Sequence, residues 1–272
     1  MHSLLQAAQG QPTFDWGFFV DAVIHPSGPF LTGLWRTVYI SVLAQALGVI
    51  GGLGIALMRR SRFPVLGWIG GVYVWAIRGT PLLVQLVIVY NGLAATGIYR
   101  FSDLTLGSVT LLGVIQAAII TLAVNESAYM SEIIRASLDS VDDGQTEAAK
   151  ALGMSPAVAM RTVILPQATR IVIPPLGNEF NLMMKSTSLL SVIGVQEMFL
   201  TAQSINSATF KTFEIFMAVA AYYLLLTTIW SVVQAWLERK FGDPATPTQR
   251  VSMRERLLGG PARLPLTKAV HG

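Results

Sequence analysis

Residues 147–158 read EAAKALGMSPAV, a stretch too polar to cross a bilayer and too apolar for an idle solvated loop. Asp142 or Asp143 can cap a helix whose first turn contains Glu147, where the helix dipole favours an acid. Ala148, Ala149 and Ala151 keep that helix thin, so another surface can approach its backbone closely. Gly153 supplies a turn that stops it. Ser155-Pro156 then restarts the chain as an N-cap followed by proline at the first helical position. The second helix carries Val158, Val163, Ile164 and Leu165 and runs to Pro166. Two short helices about a glycine turn are therefore predicted. Their thin face fits two roles equally well: packing against this chain, or docking onto another.

The surrounding chain is a membrane protein by composition. It has 272 residues, 53% hydrophobic and 12% charged, where soluble domains carry about 25% charged residues. The mean hydropathy is +0.56. Each crossing needs about 20 apolar residues, and five runs qualify: Leu31–Leu57, Pro81–Thr96, Ser108–Ile134, Leu165–Leu182 and Phe213–Leu237. The fourth is opened by Pro174-Pro175. Residues 63–77 are aromatic and glycine-rich, and either lie in the interface or extend the second helix. An all-α polytopic protein of about five transmembrane helices is predicted.

Positive charge orients those spans. Of 19 Lys and Arg residues, all but Arg36, Arg100, Lys185 and Lys211 fall in three segments, 56–79, 135–170 and 238–272. Placing these in the cytoplasm puts the N-terminus outside and the C-terminus inside. The net charge of +4 thus reads as membrane orientation, and no nucleic-acid partner is expected. Residues 1–30 lack the basic start and long apolar run of a cleaved signal peptide and read as a retained extracytoplasmic leader. Residues 31–240 form the membrane domain, with the polar segment 140–166 in the cytoplasm. Residues 241–272 are proline-rich and basic, a solvated cytoplasmic tail.

Several chemistries are excluded. Without cysteine there is no disulfide, thiolate metal site or cysteine nucleophile. His2, His25 and His271 never approach ligand spacing, so no metal site is expected. The absence of G-x-x-x-x-G-K-[ST] removes a P-loop. An ion-gradient transporter would show internal repeats or charges aligned in its spans, and neither is visible. A non-transporting membrane scaffold is left open by composition.

The segment 144–168, GQTEAAKALGMSPAVAMRTVILPQA, resembles the EAA signature of ABC importer permeases. The matching residues are Glu147, Ala148, Ala149, Gly153, Ile164, Leu165 and Pro166. In that family the segment forms coupling helices that dock into a groove on a separate ATPase. RGTPLLVQL (Arg78–Leu86), AYMSEIIR (Ala128–Arg135) and PPLGNEFNLMMKSTSLLSVIGVQEM (Pro174–Met198) are similar to the polar amino-acid uptake branch, which includes histidine, arginine, glutamine and glutamate permeases. Ser186 departs from that branch, which commonly has Asp or Asn there.

The resemblance implies a type I ABC importer permease fold in a bacterial inner membrane. It also implies three partners: a cytoplasmic ATPase dimer that uses ATP and Mg, a second permease subunit, and an extracytoplasmic amino-acid-binding protein. This chain itself binds no cofactor and contacts membrane lipid. Polar residues at membrane depth usually face a cavity, which makes Thr80, Asn178, Thr187, Ser188 and Glu197 candidates for the substrate path. Hydroxyls would serve a substrate carboxylate, and an acid its ammonium. Glu132 and Arg135 are spaced to form a structural ion pair. Glycines 48, 51, 52 and 54, and 67, 70 and 71, suit close helix packing, inside the chain or against a second subunit.

Overall fold

The computed structural model describes residues 14–107 and 109–241, and most of them are helical. Helix α1 (Trp16–Ile24) is capped by Asp15, whose carboxylate accepts from the Phe18 N–H at 2.9 Å. After Pro29 at its start, α2 runs from Gly28 to Arg59, about 48 Å at 1.5 Å per residue. Within the segment read as a leader, residues 16–24 and 28–30 are helical. Residue 31 falls inside α2, and α1 lies along the last long helix, α11 (Thr212–Phe241). The Tyr222 hydroxyl donates to Val23 O at 2.8 Å, and Lys211 pairs with Asp15 at 3.0 Å. Residues 1–13 and the tail beyond 241 lie outside the described residues.

Residues 63–77, read as interfacial or as an extension of the second helix, are helical from Pro64 and join that second apolar run through a sharp bend. They form α3 (Pro64–Arg78), which meets α4 (Leu82–Val87), a π turn at Ile88–Gly92 and α5 (Leu93–Ala95) at a bend of 102°. Pro81, which has no N–H to continue the ladder, makes the break. The all-α expectation also has an exception. The hairpin of β1 (Leu104–Leu106) and β2 (Val109–Leu111) turns through Gly107 at φ +62°, so the third long helix, α6, starts at Gly113 rather than Ser108 and ends at Asp139.

Helices α2 and α6 form the most extensive pair, and glycine makes it possible. A Cβ on Gly52 would lie 2.5 Å from Met130 Cβ, and one on Gly48 2.5 Å from Glu126 Cγ. Gly51 and Gly70 are also packed internally, whereas Gly54 and Gly71 face open space. A main core gathers around this pair, with Ile40, Leu86, Ile119, Leu122, Met183 and Leu190 at its centre.

After α6 come α7 (Asp143–Ala151), α8 (Pro156–Ala159), a π turn at Met160–Ile164 and α9 (Leu165–Ser186). Two proline expectations fail here. Pro166 does not end its helix: the preceding turn widens, with Leu165 N–H bonding Met160 O five residues back, and α9 continues. Nor do Pro174 and Pro175 open α9, which runs through both and is bonded from the side by α11 at and just beyond them. The Trp230 indole N–H donates to Gly177 O at 2.7 Å, and Gln234 donates to Pro174 O at 3.3 Å. A 3₁₀ helix follows at Thr187–Ile193 and buries Thr187, Leu190 and Ile193, the spacing of its three-residue turn. Gly194 ends it at φ +88°, and α10 (Met198–Thr209), which hydropathy did not indicate, leads into α11.

Among the described residues, α2 and α11 are long and apolar enough to cross a membrane, and the bent α3–α5 unit makes a third if counted as one span. Polar residues lower the hydropathy of α6 and α9. In α6 they are turned inward: Glu126, Ser127 and Ser131 are buried.

Candidate functional site

The α7–α8 hairpin is built as its residues dictate. Asp142 Oδ1 accepts from Gly144 N–H at 2.7 Å and starts α7. At its far end Met154 N–H bonds Ala149 O and Gly153 N–H bonds Lys150 O, with Gly153 at φ +74°. This pair of bonds is a Schellman stop, which requires a left-handed residue. Ser155 then accepts from Val158 N–H and Pro156 opens α8.

The hairpin has two faces. Ala149, Ala159 and Ile164 are buried, and Ile164 packs with Val141 and Ala168 in a small core under the end of α6. Glu147, Ala148, Gly153, Leu165 and Pro166 are exposed on the other side. So is Leu152, 77% exposed at the helix cap, which sequence reasoning passed over although an apolar residue beside exposed alanines was its signal. The seven signature residues thus divide into two that anchor the hairpin and five that present it.

Beside the hairpin, α2 and α6 are joined by a chain of ion pairs. Arg59 pairs with Glu132, Glu132 with Arg135 at 2.9 Å, Arg135 with Asp139 at 2.9 Å, and Asp139 with Arg60. The spacing of Glu132 and Arg135 foretold one link; Asp139 adds a second within α6, and the arginines at the end of α2 supply the two that cross to it. Lys185 and Glu179, six residues apart on α9, form no ion pair among the described residues.

The path candidates also divide. Thr80 lies at the α3–α4 break and is exposed; its hydroxyl donates to Ala76 O at 2.9 Å. Asn178 is exposed on α9, next to Glu179, which lies within electrostatic range of Arg78 and Glu126. Ser188 is half-buried at the start of the 3₁₀ helix. Thr187 and Glu197 are fully buried instead. The Glu197 carboxylate caps α10, accepting from Phe199 N–H at 2.8 Å and Leu200 N–H at 2.9 Å, with the Thr37 and Tyr223 hydroxyls each at 3.4 Å. Its bonding capacity is spent inside the protein. Thr187 likewise donates to Met184 O at 2.8 Å. Asn181, by contrast, buries an amide oxygen that has no hydrogen-bond partner among the described residues.

Comparison with known proteins bears on most of the chain. A family model described as binding-protein-dependent transport system inner membrane component matches residues 48–243. The probable amino-acid permease protein YxeN of Bacillus subtilis (strain 168) is 39% identical over 232 residues, 85% of this chain and 98% of that protein. The glutamine transport system permease protein GlnP of Escherichia coli (strain K12) is 38% identical over 232 residues, 84% of this chain and 97% of its own length. The crystal structure of an amino acid ABC transporter with histidines superposes with a TM-score of 0.73 at 39% identity, covering 84% of this chain and 99% of that one.

Proposed function

The chain belongs to the family of binding-protein-dependent transport system inner membrane components, and we propose that it is the permease subunit of an ATP-driven importer of polar or charged amino acids. It forms the translocation path and receives its energy from a separate cytoplasmic ATPase dimer. A second permease subunit faces it across a two-fold or pseudo-two-fold axis. An extracytoplasmic binding protein delivers the amino acid. ATP and Mg belong to the ATPase, and this chain binds neither.

The proposed crossings of the bacterial inner membrane are α2, the bent α3–α5 unit, α6, α9 and α11. The N-terminus lies outside and the tail 241–272 in the cytoplasm. This orientation puts the α7–α8 hairpin, within segment 140–166, on the ATPase side. The α2–α6 ion pairs lie there too, consistent with the excess of basic residues.

The hairpin's exposed face carries the reading. Glu147, Ala148, Leu152, Gly153 and Val158 form a thin surface of mixed polarity, and Ala149 and Ile164 root it beneath α6. A rigid projection of this kind transmits movement of a docked partner to the helices above it. Thr80, Asn178 and Ser188 are the proposed path-facing residues, with Thr187 and Glu197 holding the wall behind them.

Co-purification with the cognate ATPase tests the assignment. Glu147→Arg or Gly153→Asp is expected to release the ATPase and abolish amino-acid-stimulated ATP turnover. An intact complex with normal stimulated turnover in both variants overturns it.

A further inference from the structure

The break between α3 and α4 leaves backbone carbonyls without their helical donors. In an unbroken helix the N–H of residue 81 would bond Ile77 O, but residue 81 is proline. Gln85 fills the vacancy from one turn further on. Its amide nitrogen donates to Ile77 O at 2.8 Å, to Thr80 O at 3.2 Å and to Thr80 Oγ1 at 2.8 Å. Gln85 is itself buried, and its amide oxygen accepts from Asn125 Nδ2 at 2.9 Å. One side chain therefore joins both arms of the elbow to the middle of α6.

Helix α6 also grips the α3 arm. The Tyr73 hydroxyl bonds Val124 O at 2.7 Å and Ser127 Oγ at 2.6 Å, and the Arg78 guanidinium lies 5.1 Å from the centre of the Tyr129 ring. Gly79 permits the tight turn, since a Cβ there would meet Trp75 O at 2.8 Å. Gly79, Thr80 and Pro81 make the 102° bend, and one side chain hydrogen-bonds across it from the second arm to the first. The tie is Gln85.

We propose that Gln85, held by Asn125, is a positioning residue that sets the angle of the α3–α4 elbow and so places Thr80 and the α4–α5 arm along the translocation path. The kinetic part rests on the reading of the chain as a permease; the geometric part does not. Buried amides with all their partners present specify a single arrangement, and losing one partner leaves the others costly.

The chain has no cysteine, so two labels can be introduced cleanly. Spin labels at Trp68→Cys on α3 and Ile88→Cys on the second arm, both exposed positions, report the elbow angle as a distance in the complete transporter. Gln85→Leu is expected to broaden or shift that distance. Transport per assembled complex should fall roughly tenfold or more, as misplacement of positioning groups does, while the half-saturating substrate concentration stays the same. Should Gln85→Leu fail to assemble, Asn125→Ala and Thr80→Val, which each remove part of the network, must shift the distance in the same direction. A wild-type distance in the variants that assemble overturns the proposal. Loss of transport with an unchanged distance also overturns it. If the unsubstituted complex moves no amino acid, the permease reading fails while the distance still judges the elbow.

Discussion

The Trp230 indole nitrogen lies 2.7 Å from the carbonyl oxygen of Gly177, two residues past the Pro174-Pro175 pair. Neither proline can donate to the carbonyl four residues before it, so α9 loses two rungs of its own ladder. The indole pins the chain just beyond the gap, and its ring packs on Phe180 at 4.3 Å between centroids. Trp230→Phe keeps most of the ring contact and removes the donor. It is expected to cost about 1 kcal/mol, read as a thermal midpoint about 2–4 °C lower in detergent. An unchanged midpoint means α9 needs no side support.

Glu197 offers a sharper contrast. Every donor around it belongs to this protein, so Glu197→Ala strands two backbone N–H groups and takes an acceptor from the Tyr223 hydroxyl, while Thr37 keeps Gly33 O. The expected loss is about 3 kcal/mol, with poor recovery of folded protein. Glu197→Gln keeps one acceptor oxygen and should lose less, about 1 kcal/mol. Substrate affinity of the assembled Gln variant should match the wild type. A raised KM without loss of stability would return Glu197 to the path.

These two residues show what could be read ahead of the structure. The glutamate was visible as a polar group in an apolar region, which is also what a binding residue looks like. Only the burial of all its partners separates the two cases, and those partners come from α2, α10 and α11. The prolines of α9 carried the opposite error: local chemistry says break, and a tryptophan 53 residues beyond Gly177 says otherwise. The hairpin was legible because Asp142, Gly153, Ser155 and Pro156 act on their immediate neighbours. Helix α10 left no hydropathy signal, since Thr201, Gln203, Ser204, Asn206 and Ser207 dilute its apolar side.

Two glycines of α2 should behave oppositely although they are two residues apart. Gly52→Ala puts a methyl 2.5 Å from Met130 Cβ and 3.0 Å from Ser127 O. None of these atoms is the flexible end of a side chain, so α2 and α6 must separate, at about 2 kcal/mol. Gly54→Ala meets nothing within 4 Å and gains helix propensity, stabilising by up to about 1 kcal/mol. Thermal unfolding of both variants side by side checks the pair. Equal effects would mean that the α2–α6 contact is looser than its geometry.

Gly153 separates conformation from contact in the exposed hairpin. Its φ of +74° favours glycine, yet a Cβ there would touch nothing within 4 Å. Any cost of Gly153→Ala therefore comes from the backbone, about 1–2 kcal/mol for a left-handed alanine. Asparagine adopts that conformation more readily, so Gly153→Asn should hold the turn although it is the larger residue. If the turn's shape is what the ATPase reads, Gly153→Asn retains the complex in co-purification. Gly153→Ala then weakens it roughly fivefold to thirtyfold, the equivalent of that backbone cost. If the partner instead packs against the glycine itself, asparagine is the more damaging of the two, because the added bulk enters the interface. The order of the two variants thus decides whether Gly153 acts as a hinge within the hairpin or as part of its docking surface.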